Sequence, residues 1–66
     1  MVIGLLYDKK ITANTLRGLK MKASKIANNY FNPIDVMKVY FEKKEFNFIR
    51  RNKVYPNNTI EYGKWR

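Results

Sequence analysis

NPIDVMKVYFEKK, residues 32 to 44, is the stretch on which the reading of the fold turns. Asn32 can cap the free N–H groups of a helix start, Pro33 suits the first helical position, and Asp35 would complement the helix dipole. Ile34, Met37 and Phe41 fall at i, i+3 and i+7. Val36, Val39 and Tyr40 widen that stripe until little of the segment is polar. The spacing predicts a helix from Pro33 to about Lys44, packed on two sides.

On its N-terminal side, Leu16, Leu19, Ala23, Ile26, Ala27 and Tyr30 recur every three or four residues, which places them on one helical face. Thr12 or Asn14 would cap this helical region, and Asn28-Asn29 would end it near Tyr30. Gly18 and the KMK run at 20 to 22 leave open whether it is one helix or two. VIGLLY, residues 2 to 7, reads as a short apolar strand or arm.

On the C-terminal side, FNFIRRNKVYPNNTIEYGKWR, residues 46 to 66, is rich in β-branched and aromatic residues. A hairpin turning at Pro56-Asn57-Asn58-Thr59 would set Tyr55 opposite Ile60 and Val54 opposite Glu61, and bring Arg50 near Trp65 as a cation–π pair. A turn at Asn52-Lys53 is the alternative. The expected architecture is a single small α+β domain, residues 1–66: an N-terminal strand or arm, two or three helices, and a C-terminal β-hairpin.

A chain of 66 residues buries only about 60% of the surface its unfolded form exposes, so its stability margin is thin. With neither cysteine nor histidine it has no disulfide, thiolate metal site or zinc finger to reinforce it. The five acids, Asp8, Asp35, Glu42, Glu45 and Glu61, are scattered and do not form the paired carboxylates of a hydrolase. The expectation is therefore a non-enzymatic protein with no cofactor and no metal. No segment resembles a signal peptide or a bilayer span, which points to a soluble cytoplasmic protein, in the host cytoplasm if viral.

Charge is the strongest signal. Fourteen Lys and Arg against five Asp and Glu give a net of +9, a field that attracts polyanions. Between Lys9 and Ile34 stand Lys9, Lys10, Arg17, Lys20, Lys22 and Lys25 without one acid. The C-terminal region adds Arg50, Arg51, Lys53, Lys64 and Arg66, and the expected second helix adds Lys38. Arg17, Lys20, Lys22, Lys25, Lys38, Arg50, Arg51, Lys53, Lys64 and Arg66 are thus the candidate nucleic-acid-binding residues. Tyr55, Tyr62 and Trp65, interleaved with these cations, offer a second route by base stacking. Most aromatics in so small a chain belong to its core, with Trp65 the one expected outside it.

Over residues 22 to 41, Ile26-Ala27, Tyr30, Phe31, Asn32 and Val36 match in type and order the pattern I-A-x-x-L-G-V-S-x-x-T-V, without its corner glycine. In this the chain resembles the helix-turn-helix DNA-binding family, and with a following hairpin its winged form. The resemblance implies a second helix in the major groove, a hairpin along the backbone, and a homodimer, for which the apolar VIGLLY segment is the expected surface. The second helix would carry few base-reading side chains, so phosphate contacts outweigh base readout. The function expected is that of a small nucleic-acid-binding protein, with duplex DNA favoured over RNA, like the transcription regulators of bacteriophages and mobile elements. The alternative is a viral or accessory interaction protein whose basic face docks on an acidic host protein or a ribonucleoprotein.

Overall fold

The computed structural model describes all 66 residues. Two β-hairpins flank one helix: β1 (Val2–Leu6) and β2 (Lys9–Ala13), α1 (Leu16–Ala27), then β3 (Ile34–Phe41) and β4 (Lys44–Arg51). A short ribbon follows, β5 (Lys53–Val54) and β6 (Ile60–Glu61). The four long strands form one antiparallel sheet in the order β2-β1-β3-β4, with Leu5 opposite Lys38 joining the hairpins at its centre. VIGLLY is therefore a central strand, and Val2 and Leu6 are core residues.

The expected second helix is corrected by this topology: residues 34–41 are strand, and the architecture has one helix, not two or three. Asp35, Met37 and Val39 point into the core while Ile34, Val36, Lys38 and Tyr40 point out, the period-two alternation of a strand. The helical spacing deceived because both faces are largely apolar; Val36, at 50% exposure, lies on a sheet face that no second layer covers. With no second helix there is no helix-turn-helix corner. Pro33 ends the loop before β3, and its carbonyl accepts from the Asn52 N–H at 2.8 Å.

The β3–β4 turn had no glycine to announce it. Phe41 pairs with Lys44 around Glu42-Lys43, and both turn residues have positive φ, 51° and 61°. Leu6 and Lys9 flank Tyr7-Asp8 in the same way, with φ of 51° and 63°. Two-residue hairpin loops favour this geometry because its twist matches the strands, but side chains disfavour it. The double substitution Glu42→Asn, Lys43→Gly is therefore expected to raise stability by about 1–2 kcal/mol in urea denaturation. A lowered midpoint would contradict the turn.

Helix α1 is a single element that runs through KMK. Its N-cap is Thr15, not Thr12 or Asn14: the Thr15 hydroxyl accepts from the Gly18 N–H at 3.0 Å. Asn28 is the C-cap. Leu19, Ala23 and Ala27 of the expected stripe are buried, Leu16 and Ile26 partly so, and Tyr30 is exposed beyond the helix end. They pack with Val2, Leu6, Ile11, Ala13, Met37, Val39 and Trp65 in one core on the helix side of the sheet. Gly4 permits the close approach, since a Cβ there would lie 3.0 Å from Met37 Sδ and 3.1 Å from a Leu19 methyl.

At the C-terminal end of α1 the core turns polar. Asp35 and Arg50, 1% and 2% exposed, form an ion pair in which Arg50 donates through Nε and Nη2 to Asp35 Oδ2 at 3.0 and 2.9 Å. Arg50 also donates to Asn28 Oδ1 at 3.0 Å, and Asn52 donates to Asp35 Oδ2 at 2.8 Å. The Tyr7 hydroxyl donates to Asp35 Oδ1. No buried side-chain donor or acceptor is left without a partner, which is the condition for such a network to hold the fold together.

Burial, and then the hydrogen bond to Asp35, raise the Tyr7 pKa above the usual tyrosine value. The fold therefore favours the neutral phenol: its contribution is full below the unfolded pKa and is lost as pH rises through the folded one. Stability is expected to fall above about pH 10. Denaturation midpoints for Tyr7→Phe should fall less steeply there; identical pH profiles would exclude Tyr7 as a contributor.

Candidate nucleic-acid interface

Starting from Arg17, positions i+3, i+4, i+7 and i+8 of α1 are Lys20, Met21, Ser24 and Lys25, and helical geometry sets all five on one face. No acid occurs anywhere in α1. Like charges at this spacing weaken an isolated helix, so the core-facing residues must offset the repulsion. The C-terminal tail lies beside the basic face. It is tied to β4 by paired backbone hydrogen bonds between Ile49 and Arg66, at 2.8 and 2.9 Å, and Arg50 bridges to Trp65. Trp65 Nε1 donates to Ser24 Oγ at 3.0 Å, fastening the tail to the helix.

Helix and tail enclose an open cleft of about 770 Å³ lined by Arg17, Lys20, Met21, Ser24, Lys25, Gly63, Lys64 and Trp65. Four cations and no acid face it. Lys20 Nζ sits 4.6 Å from the centre of the Phe48 ring, which steadies its ammonium at the cleft edge. The acids lie elsewhere. Asp8 and Glu42 are in hairpin turns, Glu45 pairs with Lys38 at 3.8 Å, Glu61 accepts from the Tyr55 hydroxyl at 3.3 Å, and Asp35 is buried.

Of the ten residues singled out from sequence, Arg17, Lys20, Lys25 and Lys64 meet in this cleft. Arg51 and Arg66 stand just beyond the tail, with Lys64 between the two groups. The remaining four are elsewhere. Lys22 turns toward β2 and donates to the Thr12 carbonyl at 2.7 Å; Lys38 is on the uncovered sheet face; Lys53 sits 5.2 Å over the Tyr55 ring. Arg50 is committed to Asp35 and to two rings, Tyr62 at 4.7 Å and Trp65 at 5.2 Å. The cation–π pair expected between Arg50 and Trp65 is present, but it lies inside the fold.

Two further expectations change. Trp65 is 8% exposed and belongs to the core. The C-terminal hairpin pairs Val54 with Ile60 and Lys53 with Glu61, one residue away from the expected register, because its loop has three residues, Pro56 to Asn58. Asn58 takes the positive φ, 66°. Ser24 and Gly63 carried no signal of their own in the sequence, although counting helical positions from Arg17 reaches Ser24.

Gly63 is essential to the tail's course. A Cβ there would lie 2.0 Å from the Arg51 carbonyl oxygen, and a backbone atom cannot swing aside as a side chain can. Gly63→Ala is expected to lift the tail from β4, moving Trp65 fluorescence to the red and lowering the melting temperature. Unchanged emission would show that the tail tolerates the methyl group.

No family model, curated protein or solved structure matches the chain. The functional reading therefore rests on this cleft. No helix is long and apolar enough to cross a membrane.

Proposed function

We propose that the chain is a small non-enzymatic nucleic-acid-binding protein that holds duplex DNA by its phosphates in the cleft between α1 and the C-terminal tail. The observation that carries this reading is the convergence of Arg17, Lys20, Lys25 and Lys64 on one cleft with no acid among its lining residues. Clustered cations release condensed counterions when they meet a phosphate backbone, and this supplies affinity without regard to sequence.

Duplex is favoured over single strands at this cleft because its only aromatic, Trp65, is buried and hydrogen-bonded to Ser24, leaving no free ring on which to stack an unpaired base. Base readout has little to work with. The cleft offers three lysines, one arginine and one serine, and no asparagine or glutamine. A role as a regulator in a bacteriophage or mobile element fits a sequence-tolerant binder of this size.

The test is fluorescence anisotropy with two duplexes of unrelated sequence at low salt. Binding of both with affinities within a few-fold of each other supports the reading. Absence of binding to either overturns it, and makes an acidic protein surface the better candidate for the basic face.

A further inference from the structure

On the far side of the tail lies a second cleft, about 530 Å³, lined by Ile49, Arg51, Tyr62, Gly63, Lys64 and Arg66. Its volume falls in the range of small-molecule sites, about 300–1,000 Å³. Three of its six lining residues are cations and none is an acid. β4 and the tail run antiparallel here, with Ile49 and Arg66 exchanging backbone hydrogen bonds, so Arg51 and Lys64 follow as neighbours across the ladder. Like charges placed across adjacent strands repel. The fold tolerates the arrangement without a carboxylate to relieve it, and a bound anion would remove the cost.

The remaining lining is apolar and fixed in position. The Tyr62 hydroxyl donates to the Asn28 carbonyl at 3.0 Å, Arg50 stands 4.7 Å over its ring, and Ile49 of β4 lines the same cleft. A ring held at its hydroxyl and covered on one face by Arg50 is pre-organised, so a flat apolar ligand meets its cleft-facing side at low entropic cost. We infer that this cleft binds a nucleoside phosphate, with the base against Tyr62 and Ile49 and the phosphates on Arg51, Lys64 and Arg66. The ligand chemistry is the same for a free nucleotide and for an unpaired nucleotide at the end of a strand. Neither the cleft nor its aromatic wall is part of the duplex site proposed above, although Gly63 and Lys64 border both.

The experiment compares ATP with inorganic tripolyphosphate, which carries the charge without the base, by NMR titration of the whole chain at 150 mM salt. ATP is expected to bind at least about fivefold more tightly, the factor that corresponds to the lower end of base stacking on an aromatic side chain. The Ile49 methyl and Tyr62 ring resonances should shift, while those of Met21 on the other cleft remain still. Arg51→Glu with Arg66→Glu should abolish the shifts. Equal affinities for ATP and tripolyphosphate, or shifts centred on Met21, would overturn the inference whatever the outcome with duplex DNA. A duplex bearing a single-nucleotide overhang separates the sources: perturbation of Tyr62 by the overhang and not by the blunt duplex assigns the site to strand ends, and perturbation by ATP alone assigns it to free nucleotide.

Discussion

Arg50→Met is expected to lower the stability of the protein by about 3–5 kcal/mol, because it leaves the Asp35 carboxylate buried without its charge partner. A domain of 66 residues has roughly 3–10 kcal/mol in total, at about 0.05–0.15 kcal/mol per residue, so the loss takes about a third or more of its stability. Asn28 and Asn52 cannot replace the guanidinium, since an amide supplies hydrogen bonds but no charge. Removing both charges is a different case. Arg50→Met with Asp35→Leu spares the fold an isolated buried ion, and should recover much of the loss. Urea denaturation of the two single variants and the double variant measures the coupling directly. A stable Arg50→Met protein would show that the network is decoration on a core that holds without it.

The second large effect is on binding. Reversing Arg17, Lys20, Lys25 and Lys64 to glutamate removes two charge units at each position and takes the net charge from +9 to +1. Duplex affinity is expected to drop by at least about a thousandfold at low salt, since four phosphate contacts become four repulsions. Net charge alone would give the same loss wherever the reversals were made. Lys9, Lys10, Lys43 and Lys44 are exposed and stand outside the cleft, so reversing those four gives an equal net charge with the cleft intact. A much smaller loss in that variant identifies the cleft. Equal losses in both would reduce the protein to an unstructured positive field.

What the sequence made legible follows from how local each signal was. The helical stripe through Leu19, Ala23 and Ala27 was visible because it repeats over three turns. The segment from Ile34 to Phe41 reads as a helix because its caps and spacing satisfy one, while what makes it a strand is its pairing with partners far along the chain, β1 and β4. Asp35 illustrates the point. In a helix it would be a dipole-complementing surface acid; in β3 its side chain faces the core and needs Arg50, fifteen residues on. Glu42-Lys43 hid the hairpin that would have corrected the reading, since nothing in that pair favours positive φ.

The candidate site was legible in part for the same reason. Arg17, Lys20 and Lys25 share a helix, so their common face follows from periodicity alone. Lys64 joins them only through the docking of the tail on β4 and of Trp65 on Ser24, contacts separated by 15 and 41 positions. Arg50 and Lys64 look alike as cations in a list of charges. Strand register distinguishes them, turning Arg50 inward and leaving Lys64 at the surface.

The salt dependence of duplex binding tests the cleft most directly. Between 50 and 200 mM salt, the slope of log affinity against log salt concentration is expected near −3 to −4 for the unaltered protein, about −0.9 for each of four phosphate contacts. Replacing Arg17, Lys20, Lys25 and Lys64 by glutamine should bring that slope close to zero. A slope that stays unchanged in the glutamine variant would place the phosphate contacts elsewhere and contradict the assignment.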